Sequence, residues 1–409
     1  MQITQKYYTI DLFIIVLIMG ITIVDSLNGF LITQGWFSFS KPYKFLVLVL
    51  MVLRLTLTGR INKYSLLLFF SFASFFTGYV IYFVFNLSFN LLLRNLIESI
   101  KYFIWPISFI YFKNIYSRSN KNLLKYILLA INVSYVVVFI NIVIGILGYG
   151  YVFYRSYNTG TKGFFYSGNE FSLLFLLLTY IVGWRIFKKS KIKYFFFTLL
   201  SLFLAVKIGS KTAILGVFLF SVFTSISNVN FLKLSVKKIA FLFFSAVATI
   251  FVSFFLIKMN ERYVNGFILK RLEAYNYDLV TWFLSKRNLV AIDGYEIFIE
   301  NNLFFRIFGQ GEVAFQQKFR IIELDFVDLL MNHGYLGLVS YLFFIVVVFF
   351  FLYKNQSTSP FNKFIFYTFI LVMIFLSNMS GHIINTGIPG FFIGMIFSMP
   401  FLERGFYEE

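Results

Sequence analysis

The chain alternates between long runs of apolar residues and short polar segments, and this alternation is its main structural signal. Runs of roughly 20 apolar residues are long enough to cross the hydrocarbon core of a bilayer as α-helices. We mark about twelve such runs and therefore predict an all-α integral membrane protein. The predicted transmembrane helices are residues 11–32, 43–58, 64–86, 92–112, 123–147, 167–186, 192–209, 212–228, 239–257, 326–352, 361–380 and 383–402.

The short loops between these helices differ in their content of Lys and Arg. Residues 185–193 and 233–238 are rich in basic residues, whereas the loops that alternate with them hold few. Lys and Arg accumulate in the cytoplasmic loops of membrane proteins. This distribution predicts a multi-pass protein with both termini in the cytoplasm.

The longest polar segment of the chain separates the ninth and tenth predicted helices. Ten of the 17 acidic residues lie between Lys258 and Asp328. The loop alternation places this segment outside the cytoplasm, and its spacings allow short amphipathic helices. We divide the chain into membrane helices 1–9 (residues 1–257), one large extracytoplasmic catalytic loop (258–325), and membrane helices 10–12 with a cytoplasmic tail (326–409).

Composition excludes several classes of protein. With 59% hydrophobic residues, 13% charged residues and a mean hydropathy of +0.81, the chain cannot be an ordinary soluble protein. The net charge of +19 is spread over the short loops, so it indicates orientation in a membrane and not nucleic-acid binding. There is no Cys, and the two His residues lie far apart, so we expect no metal and no cofactor.

Three carboxylates lie close to the predicted start of the tenth membrane helix. Asp325 and Asp328 are spaced i, i+3 and share a face if the helix has begun, while Glu323 lies just outside. Charges beside apolar surroundings are costly unless they have a use. Such a cluster could serve as a general base for a sugar hydroxyl. Capping of the helix N-terminus explains Asp325 equally well.

Basic residues flank this cluster and suit an anionic substrate. The planar guanidinium groups of Arg271, Arg287 and Arg320 can each form two hydrogen bonds to a diphosphate, although structural ion pairs are the alternative. Lys207 and Lys211 are spaced i, i+4 near apolar surface, which is unfavourable without an anion. They form a second candidate phosphate contact, with snorkelling towards the interface as the alternative.

Four further residues are candidates of different kinds. Asn169 and Glu170 begin the sixth predicted helix, where they either line a cavity or cap the helix. For His333 we expect an interhelix hydrogen bond. His382, in a polar stretch before the last helix, stays open between a structural and a catalytic role.

Several short motifs, together with the layout of helices and loop, resemble the bacterial O-antigen and capsular polysaccharide polymerases (Wzy-type). These belong to the wider O-antigen polymerase and ligase superfamily. Ligases of that superfamily usually begin the last outer motif with His-Asn, whereas this chain has Glu323-Leu324, which favours a polymerase. The motifs are Gly168-Asn-Glu170, Gly209-Ser-Lys211-Thr-Ala, Ser285-Lys-Arg287, Phe308-Gly-Gln-Gly311, and the acidic run that leads into Gly334-Tyr-Leu-Gly337.

The resemblance implies a membrane fold of the GT-C type in the bacterial cytoplasmic membrane. It also implies an inverting glycosyltransferase that moves a growing glycan from undecaprenyl diphosphate to the non-reducing end of a lipid-linked repeat unit. Membrane lipids and a chain-length regulator are the expected partners besides that substrate. An O-antigen ligase and a flippase or transporter of lipid-linked oligosaccharide are the alternatives; a transporter should carry its ionisable residues near the bilayer midplane.

Overall fold

The computed structural model is mostly helical over the residues that it describes, and one β-hairpin departs from the all-α prediction. The ninth predicted membrane helix, the first part of the polar segment and the C-terminal tail lie outside the residues that the structure describes. Those described are 2–57, 63–117, 121–154, 158–227, 269–356, 359–379 and 381–401.

The described part of the chain contains sixteen helices and two short strands, which pair antiparallel. In chain order they are α1 (Gln2–Thr33), α2 (Ser40–Leu57), α3 (Lys63–Asn86), α4 (Phe89–Tyr116), α5 (Lys121–Ile146), β1 (Val152–Tyr154), β2 (Thr159–Thr161), α6 (Gly168–Lys189), α7 (Lys191–Ile208), α8 (Lys211–Ser227), α9 (Lys270–Ala274), α10 (Leu279–Leu284), α11 (Arg287–Glu300), α12 (Leu303–Phe308), α13 (Glu312–Gln316), α14 (Asp325–Gln356), α15 (Pro360–Met379) and α16 (Ile388–Ser398).

The apolar runs predict about twelve spans, and six of the described helices are long and apolar enough to cross a membrane. They are α1, α3, α5, α6, α14 and α15. In the most apolar 18-residue stretch of each of these helices, only 33% to 72% of the residues are buried within the protein. Apolar side chains therefore remain on the outside. An apolar outer surface of this kind matches the solvent properties of lipid. The short helices α9 to α13 occupy the polar segment between α8 and α14.

The centre of the protein is α16, in which every residue is buried. Two glycines let α4 approach this helix closely. A Cβ atom on Gly394 would lie 2.4 Å from the backbone nitrogen of Phe109, and one on Gly390 would lie 2.9 Å from Ile104. Small residues four positions apart allow close contact between apolar helices, where packing replaces the hydrophobic effect as the main attraction.

A buried ion pair joins three further helices. Asp11 on α1 accepts a hydrogen bond from Arg54 on α2 at 2.8 Å and from the hydroxyl of Tyr111 on α4 at 3.1 Å. Both charged side chains are almost completely buried. Because each charge would be costly alone in this environment, the pair fixes the relative position of the three helices.

Helix α14 is broken at Gly334, whose φ of 67° and ψ of −175° are not helical. The break frees the carbonyl of Asn332, which accepts hydrogen bonds from the backbone N–H groups of Gln310 (3.2 Å) and Gly311 (2.8 Å). The turn Gly309-Gln-Gly311 is therefore a docking element for the broken helix. Beside the break, the His333 ring stacks on Phe75 and its Nδ1 lies 3.1 Å from the Tyr79 hydroxyl, the interhelix contact expected for this histidine.

The last predicted membrane helix begins five residues later than residue 383. Residues 383–387 are irregular because carboxylates take their backbone N–H groups: Asp325 binds those of Ile383 and Ile384, and Glu170 binds that of Gly387. The apolar side chains of Ile383 and Ile384 favour a helix in the sequence. The hydrogen bonds of their N–H groups to Asp325 hold the backbone in an irregular conformation instead. The segment Gly381–Gly387 is called the α15–α16 loop below.

Replacement of Gly334 by alanine is expected to cost about 1–3 kcal/mol of stability, since the left-handed backbone would be strained. A Cβ atom there would also lie 2.6 Å from Gly309 N and Ile307 O. Gly35 offers a matched control, because its φ is also positive but nothing lies within 4 Å of its Cβ position. Thermal unfolding in detergent should show a clearly larger loss for Gly334→Ala than for Gly35→Ala; equal losses would contradict the docking role of the break.

Candidate functional site

A polar cleft of 690 Å³ lies where α8, α10 and α11 meet the β-hairpin and the α15–α16 loop. Its lining comes from five separate parts of the chain, so only the fold brings these residues together. Two aromatic residues of β1 and the start of α6 form one wall, and charged residues form the other. The lining residues are Phe153, Tyr154, Lys162, Ser167, Gly168, Asn169, Ser210, Lys211, Thr212, Phe283, Ser285, Lys286, Arg287, Val290, Arg320, Ile321, Ile322, Glu323, Met379 and His382.

The charges of this lining are strongly unbalanced. Five cationic side chains, Lys162, Lys211, Lys286, Arg287 and Arg320, accompany one carboxylate, Glu323. Clustered cations in a concave site raise the local concentration of anions. Two of the five are guanidinium groups, which can bind phosphate oxygens in pairs. The cleft is therefore suited to an anion with several oxygens.

Arg287 and Glu323 form an ion pair inside the cleft. Nε and Nη2 of Arg287 both donate to Oε2 of Glu323, Nε at 3.2 Å, and Nη1 donates to the carbonyl of Met379 at 2.5 Å. Arg287 is the first residue of α11, after two left-handed residues, Ser285 and Lys286. These contacts fix the guanidinium at the cleft wall, with its fork towards Glu323.

Glu323 is a partly exposed carboxylate with an unusually acidic pKa. Its side chain is 41% exposed to the cleft. Burial opposes ionisation, but the nearby imidazole of His382 and the charge and hydrogen bonds of Arg287 outweigh it and lower the pKa of Glu323 to about 2. At neutral pH the group is fully ionised and accepts hydrogen bonds.

His382 belongs to the α15–α16 loop and faces Glu323. Its Nε2 lies 3.9 Å from Oε1 of Glu323, and its side chain is 28% exposed. Burial lowers the pKa of the imidazole, but the carboxylates of Glu323 and Asp325 outweigh this and raise it above the usual 6.5. Sequence reasoning left His382 open, because its pairing with Glu323 depends on a loop geometry that spacing does not reveal. The one available signal was the polar stretch around His382, which separates two apolar runs.

The other two predicted carboxylates lie behind the cleft and hold its backbone. Oδ2 of Asp325 accepts from the N–H groups of Ile383 (2.8 Å) and Ile384 (2.9 Å), and Oδ1 of Asp328 accepts from that of Ile322 (3.0 Å). Asp325 is 2% exposed and does not line the cleft. Its carboxylate binds the backbone of the α15–α16 loop, and its role as a base stays a prediction.

Lys211 begins α8 and contacts the end of α10. Its ammonium donates to the carbonyls of Trp282 and, at 3.3 Å, Phe283, and it lies 4.2 Å from the centre of the Trp282 ring. The carbonyl end of a helix attracts a cation. The contact holds Lys211 at the cleft edge, within 3.4 Å of the Ser285 hydroxyl.

The remaining predicted site residues fall in different places. Asn169 and Arg320 line the cleft. Glu170 caps α16, since its Oε1 accepts from the N–H of Gly387 at 3.0 Å. Lys207 lies outside the lining, 5.5 Å from the Phe203 ring. Arg271 belongs to α9, and its side chain lies outside the described residues.

Comparison of the chain with protein families, with curated proteins and with solved structures gives no match. The chemistry of the cleft has to be argued from its own residues. Within the described residues, no group of three or more His, Asp or Glu side chains could hold a metal ion. What the cleft offers is a set of fixed cations, one ionised carboxylate and one imidazole.

The cationic lining predicts that the purified protein binds inorganic pyrophosphate. Lys211→Ala is expected to weaken this binding roughly tenfold or more, because a hydrogen bond to a charged group contributes about 1.5–3 kcal/mol. Lys41→Ala is a matched control, since Lys41 is 75% exposed beside Glu98 and does not line the cleft. Isothermal titration calorimetry measures both; equal affinities for the two variants would remove Lys211 from the anion site.

Proposed function

We propose that the protein is a polysaccharide polymerase of the bacterial cytoplasmic membrane. It transfers a growing glycan from undecaprenyl diphosphate to the non-reducing end of a lipid-linked repeat unit. The observation that carries the proposal is the cleft, whose lining includes the cations Lys211, Arg287 and Arg320 together with the carboxylate of Glu323. A lipid-linked diphosphate needs cations for its phosphates and a polar group for the incoming hydroxyl, next to apolar helices for its tail.

The positions of the cleft residues support this reaction. Arg287, Lys211 and Arg320 bind the diphosphate and stabilise the negative charge that builds on it as it leaves. Fixed cations are effective here because they need no reorganisation during the reaction. Held by Arg287, Glu323 stays ionised beside the acceptor hydroxyl. A single displacement at the anomeric carbon inverts its configuration.

The layout of the chain supports an extracytoplasmic site. The basic loops at residues 185–193 and 233–238 assign one face of the membrane to the cytoplasm, and the polar segment that carries Arg287 and Arg320 lies on the other. The substrate there is a lipid-linked unit that has already crossed the membrane. Its diphosphate bond supplies the free energy of transfer, and no nucleotide sugar takes part.

The decisive experiment uses purified protein in detergent and the lipid-diphosphate-linked repeat unit of its own pathway. The expected product is a ladder of glycans spaced by one repeat, formed without nucleotide sugar. Untouched substrate that crosses the membrane of proteoliposomes would instead indicate a transporter. Transfer to a lipid A acceptor with no ladder would indicate a ligase, and either result would overturn the polymerase proposal.

A further inference from the structure

His382 and Glu323 are brought together by an arrangement that the backbone resists. Both residues have left-handed backbone conformations, with φ of 57° for His382 and 63° for Glu323. A left-handed conformation in a residue with a side chain costs about 1–3 kcal/mol, and such residues cluster at active sites. Two of them face each other across the cleft, with Nε2 and Oε1 3.9 Å apart.

Two carboxylates of α14 hold the backbone beside each of the two strained residues. Asp325 binds the two N–H groups that follow His382, and Asp328 binds the N–H that precedes Glu323. Gly381 allows the α15–α16 loop to touch the segment before α14, since a Cβ atom at this position would lie 2.3 Å from the carbonyl oxygen of Glu323. Both aspartates stand in the first turn of α14, so one helix sets the position of both cleft residues.

We propose that His382 is the general base of the transfer reaction and that Glu323 orients its imidazole. This inference rests on the proposed glycosyl transfer and names the group that receives the proton. The neutral ring keeps its proton on Nε2, directed at the Glu323 carboxylate, and its lone pair is then on Nδ1. Glu323 also stabilises the imidazolium that forms, the role that a carboxylate has beside histidine in hydrolases.

The oxygen of the acceptor hydroxyl forms a bond to the anomeric carbon of the donor sugar. The bond from that carbon to the diphosphate oxygen breaks, and its electron pair leaves with the undecaprenyl diphosphate. The hydroxyl proton moves to Nδ1 of His382, and Arg287, Lys211 and Arg320 face the charge on the leaving group.

The protonation behaviour of the two groups favours the histidine as base. A carboxylate whose pKa is lowered to about 2 binds a proton poorly at neutral pH. An imidazole with a pKa raised above 6.5 binds one well near the working pH, where general bases are most effective. Glu323 is therefore better suited to orient the imidazole and stabilise the imidazolium than to abstract the hydroxyl proton.

Charged groups from every neighbouring segment act on His382. Glu323 faces it from the segment before α14, Asp325 and Asp328 from the first turns of α14, and Glu312 from α13. The guanidinium of Arg287 lies on the far side of Glu323 and opposes the four carboxylates. The net effect raises the pKa of the imidazole, so the neutral base form becomes abundant only above pH 6.5.

The test compares wild type, His382→Ala and Glu323→Gln in the ladder assay between about pH 5 and pH 9. The wild-type rate should rise with pH, with a midpoint above that of a free imidazole. Glu323→Gln should shift the midpoint to lower pH, because the carboxylate that raises the pKa of His382 is gone. In His382→Ala the rate should fall by about a hundredfold or more, and it should no longer rise with pH over this range.

Added imidazole gives a readout that a structural role would not move. Imidazole should restore activity to His382→Ala in a concentration-dependent way, and it should not restore Arg287→Ala. A His382→Ala enzyme with the wild-type rate and pH profile would overturn the base proposal while leaving the polymerase in place. A folded His382→Ala that imidazole fails to rescue would also overturn it. Failure of wild type itself to form a ladder would instead reject the proposed function.

Discussion

Replacement of Arg287 by alanine is expected to abolish long glycan chains while single repeat units persist. Arg287 donates three hydrogen bonds at the cleft wall, two to Glu323 and one to the carbonyl of Met379. Loss of one preorganised donor at a developing negative charge lowers rates by about 10²–10³-fold. Arg287→Lys should recover little of this, because an ammonium cannot reproduce the planar fork.

Glycans from cells that carry each variant, separated on a gel, measure the effect. Arg185→Ala is the matched control, since Arg185 hydrogen-bonds to Asn132 at 2.9 Å and does not line the cleft. Thermal unfolding of Arg287→Ala and Arg287→Gln in detergent separates loss of function from loss of fold. Long chains at near wild-type yield in folded Arg287→Ala would remove this residue from the mechanism.

Replacement of Asp325 by alanine is expected to reduce both stability and activity. It would leave the N–H groups of Ile383 and Ile384 buried without their acceptor. An unsatisfied buried donor costs about 1–3 kcal/mol, so we expect a loss of roughly 2–5 kcal/mol in the free energy of unfolding. The α15–α16 loop would relax, and His382 would move away from Glu323.

Asp325→Asn separates hydrogen bonding from charge. Its amide oxygen can still accept from both N–H groups, so most of the stability should return. Unfolding curves in detergent and the rate of ladder formation, measured on the same preparations, give both quantities. If alanine and asparagine at position 325 behaved alike, the contacts to the α15–α16 loop would not be what this residue provides.

The sequence singled out several residues of the cleft but not its geometry. Arg287 and Arg320 belong to the same polar segment as Glu323, and Lys211 was singled out because its charge stood beside apolar surface. Residue type and local setting sufficed for these three. The structure adds that they share one cleft, which depends on how α8, α11 and the segment before α14 pack together.

The parts that sequence reasoning missed depend on buried hydrogen bonds over long distances. Ile383 and Ile384 are apolar and fit the last helix, yet their N–H groups bind a carboxylate 58 and 59 residues earlier in the chain. Asp325 carried the signal of a costly charge, but spacing cannot tell a group that reacts from one that holds another in place. His382 has no local pattern, because its partner Glu323 belongs to a different loop.

The α15–α16 loop is held at its two ends by different helices. Asp325, at the start of α14, binds Ile383 and Ile384, while Glu170, at the start of α6, binds Gly387. Both helices are long and apolar enough to cross a membrane, and such helices change their tilt with the thickness of the bilayer. A change in the angle between α6 and α14 would move the two attachment points of the loop relative to each other. The distance between His382 and Glu323 would then change as well. The fold thus links the distance between the two groups to the packing of α6 and α14.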